Sequence, residues 1–364
     1  MMNTRVLLIA CILLVAAGSA RGQGGIEGYP FDTPVDPRSM GMGESFVALP
    51  SNPSALMYNP AGLAGLQGVS LSYSRRALNA VPAIDESMCY SINGIVAVPF
   101  GVFGLQYNRK LYGTFLVTTA ADPDGLGTET ALYSYDVAVG FGTRLKNGPA
   151  LGVAAKYYDF VGGSSEPAYL FDFGLLYTLP PMHDQFAITD SLSVGVSVQN
   201  IWTQKTATVG GLQILENFPE YFRIGISYAL GVVPREGSRL SPVAFVVTGE
   251  YRNLISRHVI LNEGRAFWGV GFEATVFEIL SLRAGAYLEP FNGFDGERDR
   301  PAYRYGAGLN LPLRKLGNGI PLVVSVNYSI EPLNQIVNPS VAGFAEKSSL
   351  PSFSLDLHYE ANLW

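Results

Sequence analysis

The residue types able to do chemistry are few in this 364-residue sequence, and they are widely spaced. His183, His258 and His358 stand far apart, and none belongs to a ligand set of recognisable spacing, whereas metal centres need clustered ligands. No metal and no cofactor is therefore expected. Ser354 and His358 are the one pair that could be assembled into a nucleophile with its base. On an alternating strand, however, both fall on the polar face as ordinary lining. Gly162-Gly163 and Gly210-Gly211 lack the lysine of a phosphate loop. Asp122-Pro123-Asp124-Gly125 stops short of the ligand positions of a calcium loop and reads as a turn. These residues point to a non-enzymatic chain.

A second set of polar residues is more orderly. Asp136, Arg144, Lys156, Asp172, Arg223, Glu250, Arg252, Glu273, Arg283, Glu289, Arg304 and Glu331 all share the parity of the small residues in their segments. Each stands opposite a run of apolar neighbours. Such a face needs water or ionic partners, because a charge turned toward lipid costs about 2–4 kcal/mol at mid-membrane. Two readings fit: salt bridges that fill a lumen, or the lining of a permeation path.

The elements that position these charges are β-strands. Between residues 131 and 145, Tyr133, Tyr135, Val137, Val139 and Phe141 alternate with Ser134, Asp136, Ala138, Gly140 and Gly142. This two-residue period gives one apolar and one small or polar face. The same alternation marks Leu192 to Gln199, Phe222 to Leu230 and Phe353 to Leu363. About fourteen such segments are expected, centred on Leu71, Gly94, Leu105, Val137, Ala154, Phe173, Val196, Ile226, Val247, Val270, Leu282, Ala307, Val324 and Leu357. Long connections fall around Ala83, Asp122, Ser164, Ala207, Ile260, Asp295 and Ser340. Most of those between them are tight, as at Pro99-Phe100-Gly101, Lys146-Asn147-Gly148, Glu278 and 315–319. Short turns at one end and long loops at the other are the pattern of a transmembrane barrel. Tyr157, Tyr158, Tyr169, Trp202, Tyr251, Trp268, Tyr303 and Tyr305 are candidates for its interfacial girdles.

Bulk properties agree. Charged residues are 15% of the chain, below the roughly 25% of soluble domains, while aromatics reach 12%. Arg5, the apolar stretch that follows and Ala20-Arg21-Gly22 read as a secretory leader over 1–22. Removing it takes the net charge from −6 to about −8, and no basic cluster offers itself to nucleic acid. Cys89 is then alone, so no internal disulfide is expected.

One stretch is not strand-like. Residues 39–66 are rich in small and apolar types and twice repeat one device, Asn52-Pro53-Ser54-Ala55-Leu56 and Asn59-Pro60-Ala61-Gly62-Leu63. Asn caps helices and Pro suits the first helical position, so each copy predicts a short helical turn. Phe46, Val47, Leu49, Leu56, Met57 and Leu63 need cover, and a barrel of this size has an interior to be filled. The chain thus divides into 1–22 leader, 23–67 N-terminal segment and hatch, and 68–364 barrel.

That stretch also carries a resemblance. Met42-Gly43 and Tyr58-Asn59-Pro60-Ala61-Gly62-Leu63-Ala64, followed by Gly68-Val69-Ser70-Leu71-Ser72-Tyr73, resemble the N-terminal signature of FadL-like outer-membrane proteins, in particular the PorV/PorQ branch. Phe171 to Tyr177, Val194 to Ile201 and Pro219 to Leu230 are similar to mid-barrel strands of that branch. The resemblance implies a fourteen-stranded outer-membrane barrel of Gram-negative type with a short helical hatch. It implies type IX secretion or surface attachment as the function, with translocon or cargo proteins as partners. The alternative it implies is FadL-like transport of a hydrophobic ligand; an inert structural barrel is the third reading. Membrane lipids are partners in every case.

Overall fold

The computed structural model describes residues 34–50, 53–77, 87–116, 127, 129–146, 148–161, 167–181, 188–201, 204–209, 212–217, 220–233, 239–255, 266–293, 296–332 and 349–360. Its strands are β1 (Val69–Ala77), β2 (Met88–Val98), β3 (Gly101–Leu116), β4 (Glu129–Arg144), β5 (Ala150–Val161), β6 (Ala168–Thr178), β7 (Ile188–Ile201), β8 (Gln204–Val209), β9 (Leu212–Asn217), β10 (Tyr221–Val232), β11 (Val243–Leu254), β12 (Ala266–Val276), β13 (Leu280–Gly293), β14 (Gly296–Pro312), β15 (Leu322–Pro332) and β16 (Ser349–Tyr359). Fourteen of them close into an antiparallel barrel: β1 pairs β16, and β7 pairs β10 past the separate β8–β9 hairpin. Closure leaves no free strand edge, which a strand-built membrane crossing requires. No helix of the described residues is long and apolar enough to cross a membrane.

All fourteen predicted centres fall inside barrel strands. The alternation is the cause. Leu71, Leu105, Val139, Val247, Val270 and Leu282 are each more than half exposed, while Ser72, Gln106, Ala138, Thr248 and Arg283 beside them are buried. A continuous apolar band of this kind is far larger than the patches soluble monomers expose, and it is the surface of a membrane barrel. Tyr157, Tyr251 and Trp268 are half-buried and Tyr169, Tyr303 and Tyr305 exposed, whereas Tyr158 turns inward and is buried.

Two loop expectations change. Around Ala207 the chain forms the β8–β9 hairpin, because residues 204–209 pair with 212–217. Near Asp295 there is no long loop: β13 and β14 stay paired up to Gly293 opposite Gly296, and the length expected in a loop is spent in the strands. Tight turns occur where expected after Val98, Arg144 and Val276, whereas the connection after Pro312 runs to Leu322 through a helical turn at Arg314–Asn318. The leader, Asn52, His183, His258, Trp202 and the loop centres at Ala83, Asp122, Ser164, Ile260, Asp295 and Ser340 lie outside the described residues.

Residues 34–66 touch the inward face of the wall. They hold α1 (Pro37–Gly41), α2 (Ala55–Tyr58) and a 3-10 helix (Pro60–Gly65). Asp36 caps α1 by accepting from the backbone N–H groups of Arg38 (3.3 Å) and Ser39 (3.1 Å), with Pro37 at the first position. This third acid-or-amide-plus-proline device, Asp36-Pro37, lies just ahead of the stretch singled out in the sequence. Glu44 N–H donates to Ser39 O (2.9 Å) and Gly43 N–H to Met40 O (3.0 Å), the two bonds of a Schellman stop. Gly43 supplies the left-handed φ of +62° that this stop needs. Asn59 caps the 3-10 helix through its Oδ1 to Ala61 N–H at 3.0 Å. The first Asn-Pro copy behaves differently: α2 begins at Ala55 behind Ser54, which makes no side-chain cap.

Candidate functional site

The candidate site is the contact between residues 34–66 and the inward faces of the strands, with the polar pocket beside it. A buried segment without a ladder must find partners for its backbone groups elsewhere. The wall supplies them from side chains. Ser197 Oγ donates to Tyr58 O (2.7 Å), Gln199 Nε2 to Met57 O (3.0 Å), Ser227 Oγ to Ala48 O (2.9 Å), and Ser352 Oγ to Val35 O (2.8 Å). Arg76 Nη1 donates to Pro34 O at 2.9 Å. In the opposite sense Glu250 Oε2 accepts the N–H groups of Phe46 and Val47, both at 2.8 Å. Asn59 joins three parts: besides its cap, Nδ2 donates to Val47 O (2.8 Å) and to Leu175 O of β6 (3.1 Å).

Charges then lock the front of the segment. Arg38 grips Glu273 of β12 with two bonds, Nε to Oε2 (3.0 Å) and Nη2 to Oε1 (2.7 Å), and Arg283 Nε reaches the same carboxylate at 2.5 Å. Glu44 pairs with Arg304 of β14 and lies 3.9 Å from Arg252 of β11. Arg304 continues to Glu331 (2.8 Å), and Glu331 to Arg76 (2.5 Å). Glu250 is held in turn by Arg223 at 2.8 Å. Arg223 also lies 5.4 Å from the Tyr58 ring centroid. Burial, with the Glu44 and Asp36 carboxylates nearby, pushes the Tyr58 hydroxyl well above the usual tyrosine range. It therefore stays a neutral donor to Ser39 Oγ, at 2.6 Å.

Space for the segment comes from glycine on the inward parity. Gly142, Gly152 and Gly174 lie side by side across β4, β5 and β6, and a Cβ on any of them would strike the 59–64 stretch. Gly195 and Gly225 face each other across β7 and β10 against Val47. Gly271 and Gly285 do so across β12 and β13 against Met42 and Gly43. Three glycine tracks therefore cradle three turns of one segment. Their signal was present in the sequence as glycine on the small-residue parity of neighbouring strands; what they pack against was not.

Beside the segment lies a polar pocket of about 30 Å³, room for about two waters. Glu44, Met57, Tyr58, Asn108, Lys156 and Arg223 contribute to its lining. Lys156 pairs with Asp172 at 2.6 Å, and Asp172 also accepts the Asn200 N–H (2.8 Å) where β7 bulges against β6. Asn108 donates to Asp136 at 2.8 Å and keeps its own Oδ1 buried without a hydrogen-bond partner. Sharing Tyr58 with the pocket, Met42, Phe46, Leu49 and Tyr58 form an apolar cluster with Met57 and Val246 packed on.

Of the expected inward charges, Asp172, Arg223, Glu250, Glu273, Arg283 and Arg304 are buried in these networks, and Asp136 lines the pocket. Arg144 is the exception. It keeps the inward parity but is the last residue of β4, where the wall ends, and it is exposed at the turn. Nothing is described of the Glu289 side chain. Of the motif residues, Met42, Tyr58, Asn59, Ala61 and Leu63 are fully buried; Gly43, Pro60 and Gly62 are buried and Pro53 partly so. His358 does not meet Ser354. It lies 2.7 Å from Ser70 of β1, directly opposite it in the ladder, while Ser354 donates to Asp356 at 3.0 Å. Among the described residues no group of three or more His, Cys, Asp or Glu is arranged to hold a metal.

By sequence, no family model and no curated protein matches the chain. Solved barrels match it by shape. The Pseudomonas putida toluene transporter TodX does so at 11% identity and TM-score 0.44, over 92% of this chain and 99% of its own. A Pseudomonas aeruginosa FadL homologue does so at 12% and 0.45, over 90% and 99%. LpxR from Salmonella typhimurium does so at 9% and 0.38, over 80% and 100%. These scores carry no function to this chain, and they do not establish the PorV/PorQ branch that the N-terminal motif resembles.

Proposed function

We propose that this chain is an outer-membrane conduit of FadL-like type for hydrophobic small molecules, with residues 23–67 acting as its hatch. One observation carries the reading: the described part of that segment packs on the inward strand faces through side-chain clamps and glycine contacts, with no strand-to-strand ladder to the wall. Such a plug can shift while all fourteen wall pairings stay made. The cluster of Met42, Phe46, Leu49 and Tyr58 is buried where the segment packs, so a shift of the segment would uncover apolar side chains inside the barrel, which suits a hydrophobic cargo. No specific observation favours the secretion reading.

The test is uptake of labelled toluene by intact Gram-negative cells displaying the barrel, against cells with an empty vector. Faster entry is expected, and equal entry would remove the reading. In planar bilayers the intact chain should conduct ions weakly, and a form lacking 34–66 strongly. A silent deletion form with its barrel assembled would show that the segment closes nothing.

A further inference from the structure

The outer face of the wall has a feature that neither the lumen nor transport uses. On the long-loop halves of β1 to β5, Arg75 stands opposite Tyr90, Tyr90 opposite Arg109, Arg109 opposite Tyr135, and Tyr135 opposite Asp159. All lie on the outward parity, and Arg75 and Arg109 are exposed. Among the residues whose side chains are described, these are the only outward-facing cations on the long-loop halves of the strands.

Both guanidiniums are held against aromatic rings. Arg75 lies 5.9 Å from the Tyr90 centroid and Arg109 4.3 Å from that of Tyr133. Tyr133 is two residues nearer the long-loop end than Tyr135, so Arg109 leans away from the apolar band. Neither arginine has a carboxylate partner among the described residues. The nearby Asp159 accepts instead from the Tyr135 hydroxyl, at 3.2 Å. Being two strands apart, the arginines are separated by about 10 Å along the sheet. Tyrosines at this height mark the headgroup level of a bilayer. A guanidinium stacked on a ring keeps its edge free, and that edge matches the two oxygens of a phosphate.

We propose that Arg75 and Arg109 form a binding site for anionic, phosphate-bearing lipid headgroups of the leaflet at the long-loop side, with Tyr90 and Tyr133 orienting the two guanidiniums. The site is independent of the transport reading, since none of its residues faces the lumen.

The test is lipid retention by the full barrel in nanodiscs, with phosphatidylglycerol as the probe and phosphatidylcholine as its competitor. Native mass spectrometry reads which lipid stays bound. A preference for phosphatidylglycerol of roughly thirtyfold is expected from two interfacial arginines. The double variant R75Q/R109Q should abolish it, and Tyr133→Leu should weaken it with charge unchanged. Lys146→Gln, at the opposite end of the barrel, should leave it intact. Heat-modifiable mobility reports whether each variant has assembled; if the double variant has not, Arg109→Gln alone should at least halve the preference. No preference in the native chain, or an undiminished one in the assembled glutamine variants, would overturn the site. Displacement of the lipid by excess inorganic phosphate would overturn the lipid assignment in favour of a free anion.

Discussion

The two halves of the N-terminal segment are cradled alike but anchored differently. Residues 34–50 rest on glycines of β7, β10, β12 and β13 and are also gripped by charge, through Glu273, Arg304 and Glu250. Residues 53–66 rest on glycines of β4, β5 and β6 and are tied by neutral hydrogen bonds from Ser197, Gln199 and Asn59. The difference bears on how each half can leave. Charge-assisted contacts are strong while dry, but their charges regain solvation once water enters, so they suit a part that detaches. Glycine packing is common to both halves, so the difference lies in the anchors: the neutral hydrogen bonds of the rear half have no charge to regain solvation when water enters. If the proposed hatch moves, the front half is expected to leave first and the rear half to act as its pivot.

The comparison can be broken most forcefully at Glu250. Replacing it with Ala strips two backbone N–H groups of their acceptor and leaves Arg223 without its carboxylate, a loss of about 3–5 kcal/mol. Hydrogen exchange should then accelerate at 36–47 and stay slow at 59–66; equal acceleration would show that the halves move as one. Next comes Gly152→Val. Its side chain would occupy the place of the Ala61 backbone, an overpacking cost of about 1–3 kcal/mol, and here the rear half should exchange faster. Asn59→Ala removes one cap and two ties, and a loss of about 1–2 kcal/mol is expected in thermal unfolding of the assembled barrel. The smallest effect belongs to Arg38→Gln. The Arg38 side chain is 30% exposed, so its pair is partly screened and about 1 kcal/mol is at stake. That variant should abolish the salt dependence of front-half exchange; salt dependence that persists in it would mean that Arg38 is not the solvent-accessible clamp.

Much of the wall was legible in the sequence because side-chain alternation is a local property. Phe222, Ile224 and Ile226 against Arg223, Gly225 and Ser227 determine which face meets lipid before any partner strand is known. The β8–β9 hairpin is not legible in the sequence because its two short strands lie within the long connection around Ala207, between two strongly alternating segments. Arg144 keeps the inward parity yet is exposed, because parity tells inside from outside but not where along its axis the wall stops. Asp36-Pro37 has the same capping chemistry as Asn59-Pro60 but lies ahead of the small and apolar stretch, so composition does not mark it.

Sequence by itself determined the barrel strands, their two faces and the Asn59-Pro60 cap, all of which depend on residues within a few positions of one another. Tertiary structure alone decided the partners. Glu44 meets Arg304 across 260 residues, and Phe46 meets Glu250 across 204. Those distances collapse only when β1 closes on β16, and the register of that closure sets which inward side chain faces which turn of the segment.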